Sequence, residues 1–380
     1  MSGILVYAPS WNTMGGGEKY LCTVADTLAS TSKTPVTLLT TDPATSKEGF
    51  RRYFNLELHN VLLCCVKRSE IGRCIASSDT AVVMSNVWPV GKRAPRMVYV
   101  IQIPYGRISP LTMLAKAGRG RIKEAAKDSL RRTLLREARS SDLVLVYSTF
   151  VKDVLLHHHG IDAEVLYPSI DDFHSRTRKH RIILSVGRFF RGLYNDKRFD
   201  VMIEAFKRLY RDQPDKAWRY RLVGSCAPDQ PSRRYLDSLR RAATGFPIEF
   251  IVNAPYAELH RHYSEASLFW HAAGYRVDEE REPERTEHFG MSTVEAMSAR
   301  CVPVVVRRGG QKEIVSDGES GYLWDTVDQL VEQSVRLMSN PVLLRRMRER
   351  ARLRFHRFDR QHFSRRCLSL FHHLESKDHG

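Results

Sequence analysis

The sequence predicts an α/β fold made of two doubly wound domains, and three observations lead to that prediction. The chain has 380 residues, a length that suits two domains of about 150–200 residues better than one. Short apolar runs alternate with amphipathic helical patterns along its whole length. A polar stretch without periodicity, residues 171–180, divides this series into two halves. Strands separated by helices imply parallel sheets that are covered on both faces.

The first half begins with a strand, a glycine loop and a helix. Residues 4–9 form the apolar strand, and a helix from about Glu18 to Ala29 carries Leu21, Val24 and Leu28 on one face. Five further apolar runs predict strands at residues 36–41, 61–66, 80–86, 97–104 and 143–148. The longest helical pattern between them covers residues 121–139.

The second half repeats this plan. Strands are predicted at residues 182–186, 220–223, 248–252, 268–271, 302–306 and 322–324. A helix over residues 360–374 places its apolar side chains on a single stripe and needs an apolar surface to pack on: Phe363, Cys367, Leu370, Phe371 and Leu374. The predicted domains are residues 1–172 and 173–355, followed by a C-terminal helical segment, 356–380.

Composition and charge indicate which partners and which cellular compartment to expect. Sixty Lys and Arg residues against 43 Asp and Glu residues give a net charge of +17, which favours anionic partners. Seven cysteines without CxxC spacing suit buried thiols in a reducing compartment. Neither a signal peptide nor an apolar run of about 18 residues is found. We therefore expect a cytoplasmic protein, with peripheral contact to the inner face of a membrane left open.

Two segments suit a bound phosphate. Consecutive glycines at 15–17 follow the first strand and open the first helix, where backbone N–H groups can approach an anion; the alternative is a tight turn. Their spacing differs from GxGxxG, which disfavours a dinucleotide cofactor. Gly187 and Arg188 follow the first strand of the second half, with Lys197 further on. Two cations at that edge suit a diphosphate, although solvated surface charges are the alternative.

A third segment carries two carboxylates eight residues apart. Glu287 and Glu295 span a loop with Gly290 and the start of a helix. Taken separately, Glu295 is a helix carboxylate favoured by the dipole and Glu287 a loop charge. The preceding residues, 274–286, are rich in Glu and Arg. They form either a loop over the bound substrate or a surface insertion.

Taken together, the segment from Glu287 to Glu295 resembles the EX7E motif of retaining GT-B glycosyltransferases, family 4 in particular. Other segments match that family's pattern in order: Gly15 to Glu18, Tyr167-Pro168, Gly187-Arg188 with Lys197, Gly224, residues 302–305, residues 309–315, Gly318 and Gly321. The likeness covers nearly the whole chain and is more specific in the second half. It implies two Rossmann-like domains facing across a cleft. The first would bind the acceptor and the second the nucleotide sugar, and the C-terminal helix would pack back toward the first.

The resemblance also implies roles for individual residues. Glu287 would contact hydroxyls of the transferred sugar, while Arg188 and Lys197 would bind the diphosphate, so these three are the predicted catalytic residues. Glu295 would accept hydrogen bonds from the ribose. The remaining predicted donor-binding residues are Gly16, Gly17, Gly187, Gly224, Phe289, Gly290, Met291 and Ser292. The family needs no metal or other cofactor, in agreement with a sequence that has no Asp-x-Asp pair.

Two positions depart from the family pattern. Gln102 stands at the end of an acceptor-side strand, where many relatives carry a histidine, and glutamine cannot shuttle a proton near neutral pH. Arg300 stands where relatives usually have glycine. If that site needs a positive φ, arginine costs on the order of 1 kcal/mol there.

Histidines and clustered cations invite other interpretations. His157, His158 and His159 do not share a helix face, so a helix end is favoured over a metal site. Residues 116–139 hold nine Lys or Arg against three acids, and residues 345–366 hold ten Arg. These are either solvated helix faces or a surface for anionic lipid. Nucleic acid is disfavoured because no known module accompanies the charge.

The sequence thus predicts a retaining glycosyltransferase that moves a hexose from a UDP- or GDP-sugar to a carbohydrate or lipid-linked carbohydrate, without metal. The alternative is a catalytically silent basic binding protein of the GT-B fold, which Gln102 and Arg300 alone support. An epimerase or a phosphorylase on similar domains is disfavoured. The former lacks the EX7E loop in this form, and the latter needs a pyridoxal phosphate lysine.

Overall fold

The computed structural model describes residues 3–11, 15–31, 34–173, 177–191, 196–212 and 217–376. Met14, next to the glycine loop, and residues 174–176 of the polar stretch lie outside these ranges. The chain forms two compact units, residues 1–169 with 360–380 and residues 170–359.

The first unit is built on a seven-stranded parallel sheet with the order β3-β2-β1-β4-β5-β6-β7. Its strands are β1 (Ile4–Tyr7), β2 (Val36–Thr40), β3 (Val61–Cys65), β4 (Thr80–Met84), β5 (Arg96–Ile101), β6 (Leu143–Val146) and β7 (Glu164–Val165). Its helices up to this point are α1 (Gly16–Ala29), α2 (Lys47–Phe54), α3 (Ile71–Ala76), α4 (Pro110–Gly118), α5 (Ile122–Arg139) and α6 (Thr149–His159). No strand is predicted from the sequence at β7, because two residues show no periodicity.

The second unit is built on a six-stranded parallel sheet with the order β10-β9-β8-β11-β12-β13. Its strands are β8 (Ile182–Val186), β9 (Arg219–Gly224), β10 (Ile248–Val252), β11 (Leu268–His271), β12 (Val302–Val306) and β13 (Tyr322–Trp324). Its helices are α7 (Phe199–Asp212), α8 (Gln230–Ala243), α9 (Tyr256–Glu265), α10 (Met291–Ser298), α11 (Gln311–Ile314), α12 (Val327–Ser339) and α13 (Pro341–Phe355).

Apolar spacing explains how these helices cover the sheet. In α7, Phe199, Met202, Phe206 and Leu209 recur every three or four residues, and all four are buried in the core of the second unit. The first unit has a separate core, to which β5 contributes Met97, Tyr99 and Ile101.

The last helix, α14 (Arg360–Ser376), returns to the first unit and packs on α1. All five side chains of the predicted stripe are buried. The ring of Phe363 meets the ring of Tyr20 edge to face, with centroids 5.7 Å apart. Arg360 donates to Asp26 Oδ2 of α1 at 2.6 Å. Apolar packing and a charged contact together attach α14 to the first unit.

The predicted fold class is confirmed, because each unit is a parallel sheet with helices between its strands. The three consecutive histidines end α6, and Gly160 closes that helix with φ of +61°. No helix in the described part of the chain is both long and apolar enough to cross a membrane.

Candidate functional site

The candidate site lies at the carboxyl edge of the second sheet, where its strand order reverses. The chain runs outward from β8 through β9 to β10, then returns to β11 on the other side of β8. Ligands of doubly wound folds bind outside such a switch point. Residues 187–191 follow β8, and His271 ends β11. At this edge two of the predicted residues of the second unit, Lys197 and Glu287, come into contact.

Glu287 is the centre of a buried charged cluster. Its Oε2 atom forms an ion pair with the Lys197 ammonium and accepts a hydrogen bond from His271 Nε2 at 2.9 Å. The three side chains are 9%, 15% and 2% exposed, respectively. Burial opposes ionisation of Glu287, but the Lys197 charge and the His271 bond outweigh it and hold the pKa of this carboxyl well below its usual range. Glu287 is therefore ionised at neutral pH.

His271 was not among the predicted site residues, although it contacts two of them. Its Nε2 atom lies 2.9 Å from Glu287 and 3.5 Å from Lys197 Nζ. Burial lowers the pKa of this imidazole, and the Lys197 charge lowers it further, against the opposing effect of the Glu287 bond. In the sequence, only its position as a polar residue at the end of an apolar strand could have indicated a role for His271, and that pattern alone is not specific.

Glycines let a neighbouring turn pack directly against the Glu287 loop. The Gly310 N–H donates to the Glu287 carbonyl at 2.8 Å. A Cβ atom at Gly309 would lie 2.1 Å from that same carbonyl oxygen. Gly290 has φ of +119° and precedes α10, so it suits a residue without a side chain. The loop conformation that presents Glu287 thus depends on glycine at three positions.

Phe289, Met291 and Ser292 lie where the resemblance places backbone donors. Phe289 is buried, and Met291 and Ser292 open α10. The first N–H groups of a helix have no partner inside that helix, and they favour an anion. The geometry is compatible with the predicted contacts to a sugar phosphate, which remain predictions.

The segment over residues 274–286 is attached to the same turn. The carboxylate of Glu279 accepts from Gly309 N–H at 2.9 Å and pairs with Lys312 Nζ at 2.5 Å. The segment also contains a short 3₁₀ turn, Pro283–Arg285. It is therefore anchored to the second unit through Glu279, which a sequence crowded with charges did not single out.

Glu295 lies on α10 and has a different partner from Glu287. Its Oε2 atom accepts a hydrogen bond from the buried Tyr263 hydroxyl at 2.7 Å. Burial and the neighbouring Glu295 raise the pKa of Tyr263 well above its ordinary value, so this hydroxyl stays a donor. Tyr263 orients Glu295, whose predicted role toward a ribose is not tested by these contacts.

The loop after β8 is tightly packed against the end of β9. A Cβ atom at Gly224 would lie 1.7 Å from the Gly187 carbonyl oxygen, and one at Gly187 would lie 2.7 Å from Lys197 Cγ. Arg188 is exposed and lies over the Phe190 ring, with its guanidinium carbon 5.0 Å from the centroid. Gly187 and Gly224 thus serve close packing that positions Lys197, while Arg188 extends from the same loop.

The predicted residues of the first unit also meet at a sheet edge. A Cβ atom at Gly17 would lie 2.9 Å from Gln102 Oε1, so the glutamine side chain lies against the start of α1. Gly16 is the first residue of that helix. The Gly15 N–H donates to Glu18 Oε2 at 3.1 Å, so a carboxylate of the chain itself caps this helix.

Comparison with known proteins identifies the family. Residues 168–354 match the family model described as Glycosyl transferases group 1. That range covers nearly the whole second unit and contains every residue of the site at its sheet edge. The second unit belongs to glycosyl transferases group 1.

A curated relative of this group 1 glycosyltransferase domain is the GDP-Man:Man(3)GlcNAc(2)-PP-Dol alpha-1,2-mannosyltransferase of Xenopus laevis. It is 27% identical over 250 residues, which are 60% of this chain and 48% of the relative. The chain spans about half the length of the curated relatives that it matches first.

Solved glycosyltransferase structures share the fold of the entire chain. A glycosyltransferase from Rickettsia africae ESF-5 aligns with a TM-score of 0.71 at 15% identity and covers 98% of both chains. The Anabaena HepE protein in complex with UDP-glucose aligns with a TM-score of 0.66 at 15% identity, over 98% of this chain and 99% of its own. These likenesses confirm the GT-B fold class.

Within the described part of the chain, no cluster of three or more His, Cys, Asp or Glu residues is arranged to hold a metal ion.

Proposed function

We propose that this protein transfers a hexose from a UDP- or GDP-sugar to a carbohydrate or lipid-linked carbohydrate acceptor, with retention of configuration and without a metal. The observation that carries the proposal is the ionised Glu287 carboxylate, buried beside Lys197 at the switch point of the second sheet. A fixed carboxylate suits the hydroxyls of a sugar. An adjacent ammonium group suits the charge that develops on a departing diphosphate.

Each remaining site residue has a place in this proposal. Arg188 and Lys197 neutralise the diphosphate, and Glu295, held by Tyr263, binds the ribose hydroxyls. The backbone N–H groups of residues 289–292 hold the sugar and its β-phosphate. Gly16 and Gly17 allow a close approach of the first helix to a phosphate. Gln102 contacts an acceptor hydroxyl, because its amide hydrogen-bonds but does not exchange a proton near neutral pH.

The relatives support both donor classes. The Xenopus laevis relative is named for GDP-mannose and a dolichol-linked acceptor, and HepE was solved with UDP-glucose. The site residues described above do not distinguish uracil from guanine, so the proposal retains both donors.

Nucleotide binding tests the proposal directly. Calorimetry with UDP, GDP, ADP and their common sugars, in the presence of a chelator, should find one base that binds well below 1 mM. Glu295→Ala should weaken that binding roughly 10-fold or more, since it removes hydrogen bonds to a charged acceptor. Glu332→Ala, an exposed change on α12, is the matched control.

Either of two outcomes would contradict the proposal. Failure of every nucleotide to bind would remove the donor site. Tight binding without sugar transfer or donor hydrolysis, whatever acceptor is offered, would favour the silent binding protein.

We propose further that the first unit rests on an anionic membrane surface through α4 and α5. Leu111, Leu114 and Ile122 are 77%, 68% and 68% exposed. Exposed cations lie beside them in the sequence: Arg119, Arg121, Lys123 and Lys127. Apolar side chains bordered by cations suit an anionic bilayer interface. Such a position would bring the protein to a lipid-linked acceptor.

One charge pair joins the two helices. Asp128 is buried on α5, where it pairs with Lys116 of α4 and with Arg131 Nη1 at 2.8 Å. The exposed leucines therefore lie on a helix whose position relative to α5 is fixed.

A further inference from the structure

His271 occupies a position that no described role accounts for. It ends β11, which lies between β8 and β12 inside the second sheet. Its side chain is 2% exposed, and Nε2 lies 2.9 Å from Glu287 Oε2. An interior strand is a rigid support, and a buried polar ring at its end is costly unless it is hydrogen-bonded.

The contact with Glu287 determines which ring nitrogen carries the proton. An ionised carboxylate is an acceptor only, so Nε2 must donate. Nδ1 is buried and has no hydrogen-bond partner within the described residues. A cationic ring would place an N–H donor on Nδ1 without an acceptor and a second positive charge near Lys197. The geometry therefore selects the neutral imidazole with its proton on Nε2.

Lys197 and His271 hold the same carboxylate oxygen, Oε2. In the proposed function, Lys197 also faces a diphosphate, and its single charge is then divided between two anions. His271 has no such second task. Its N–H group can hold Oε2 at every stage, and neither bond uses Oε1.

We propose that His271 is a positioning residue, a neutral Nε2–H donor that holds the Glu287 carboxylate so that Oε1 faces the transferred sugar. This inference rests on the proposed function for its link to sugar transfer. The hydrogen bond itself is independent of that function and is testable without it.

Two substitutions at one position test the proposal. The amide nitrogen of glutamine falls near the place of Nε2, whereas that of asparagine falls near Nδ1. His271→Asn should lower kcat about 10- to 100-fold, as expected for loss of one hydrogen bond to a charged group. His271→Gln should recover most of that loss. Binding of UDP or GDP alone, which lack the sugar, should change less than about 3-fold in both variants.

A matched control separates positioning from folding. His262 is also buried in the second unit, but it lies on α9, where its ring contacts Arg221 and Glu258. His262→Asn should lower the thermal midpoint as His271→Asn does, with kcat unchanged. Equal kcat values for His271→Asn and wild type, or a Gln variant no better than Asn, would overturn the proposal.

A second measurement does not need activity. Long-range ¹H–¹⁵N spectra of labelled histidine, assigned with His271→Gln, should show a neutral ring protonated on Nε2 at pH 7, and Glu287→Gln should shift that nitrogen. A proton on Nδ1, a charged ring, or no response to Glu287→Gln would overturn the inference. If wild type binds no nucleotide but these spectra are as expected, only the link to sugar transfer fails.

Discussion

At the scale of single residues, the Lys197–Glu287 pair is the feature whose loss should matter most. Both side chains are largely buried, so each charge depends on the other for compensation. Removing one partner leaves a buried charge unpaired. Removing both leaves a polar site that no longer holds an unpaired charge.

Glu287→Gln should destabilise the second unit by about 3 kcal/mol at pH 7. Adding Lys197→Met should restore part of that loss, because the unpaired ammonium is then gone. Urea unfolding followed by tryptophan fluorescence at pH 7 measures both variants. A double variant less stable than Glu287→Gln alone would contradict this account.

The same cluster makes stability depend on pH, and the sign follows from the shifts. The pKa values of Glu287 and His271 are both lower in the folded protein than in an unfolded chain. Between its folded and unfolded values, each group binds its proton more readily when unfolded, so stability falls as pH falls. The loss begins near pH 6.5 through His271 and continues below about pH 4.3 through Glu287.

The acid sensitivity of wild type should therefore exceed that of His271→Gln between about pH 7 and pH 5. Thermal midpoints measured at half-unit pH intervals give the comparison. Parallel curves for the two proteins would show that His271 titrates equally in both states.

Arg300 stores local strain at the end of α10. Its φ is +62°, as anticipated from the glycine that relatives usually carry there. Its N–H and that of Cys301 donate to Met297 at 3.0 Å and Ala296 at 2.8 Å, the two bonds of a Schellman motif. That motif places the residue just after the helix cap, here Arg300, in the left-handed region, which favours glycine.

Arg300→Gly should raise stability by about 0.5–1 kcal/mol, because the relief of left-handed strain exceeds the entropy that glycine adds to the unfolded chain. The exposed ion pair with Glu349, 3.3 Å long, contributes little. Arg300→Ala keeps the strain and loses the same pair, so it is the control. Urea midpoints should rank Gly above Arg, and Arg level with or above Ala.

At the scale of elements, the ends of β8 and β9 are packed tightly against each other. Gly187 and Gly224 bring the two backbones together, and Lys197 packs on Gly187. If either strand end moved, the aliphatic part of Lys197 would move with it, and the ammonium group would be displaced from Glu287.

Gly224→Ala should destabilise the protein by roughly 3 kcal/mol or more and weaken nucleotide binding, since its Cβ would fall inside the contact radius of a backbone oxygen. Gly118→Ala is the control, because nothing lies within 4 Å of its Cβ position. Thermal unfolding and nucleotide calorimetry on both variants make the comparison. An unaffected Gly224→Ala would mean that these strand ends are not tightly coupled.

At the scale of the whole molecule, some cationic side chains form internal bonds and others are exposed to solvent. In the arginine-rich C-terminal region, several side chains are committed to internal bonds. Arg352 donates to Asp172 at 2.5 and 2.6 Å, and Arg348 donates to Ser267 at 2.7 Å. Several cations of α4 and α5 are exposed and lie in the sequence beside the exposed Leu111, Leu114 and Ile122, so they are candidates for an external partner.

Vesicle co-sedimentation tests that partner. The protein should bind vesicles containing phosphatidylglycerol, less so at high salt, and only weakly bind pure phosphatidylcholine. Changing Leu111 and Leu114 together to alanine should weaken binding about 10-fold or more. Leu156→Ala, which alters an exposed leucine of α6, is the control. Equal binding by both variants would exclude α4 as the contact.

The two sheets could be predicted from the sequence because buried parallel strands appear in it as short apolar runs, such as residues 302–306. The second-unit site was predicted from the resemblance of the segment from Glu287 to Glu295, with the cations before it, to the EX7E motif. His271 was not predicted, because its contact with Glu287 depends on the strand order, which brings β11 next to β8. Glu279 was not predicted because it is one of several similar charges in its segment, and its contacts with Gly309 and Lys312 become visible only in the fold.

The packing of α14 on α1 has a consequence for synthesis. The first unit lacks this helix until residues 360–376 have left the ribosome, after all 190 residues of the second unit, 170–359, have been made. At ordinary elongation rates the interval is on the order of 10–40 s. Throughout it, the surface around Tyr20 has no α14 to cover it. The nascent chain therefore presents an apolar patch that a chaperone can shield until α14 emerges.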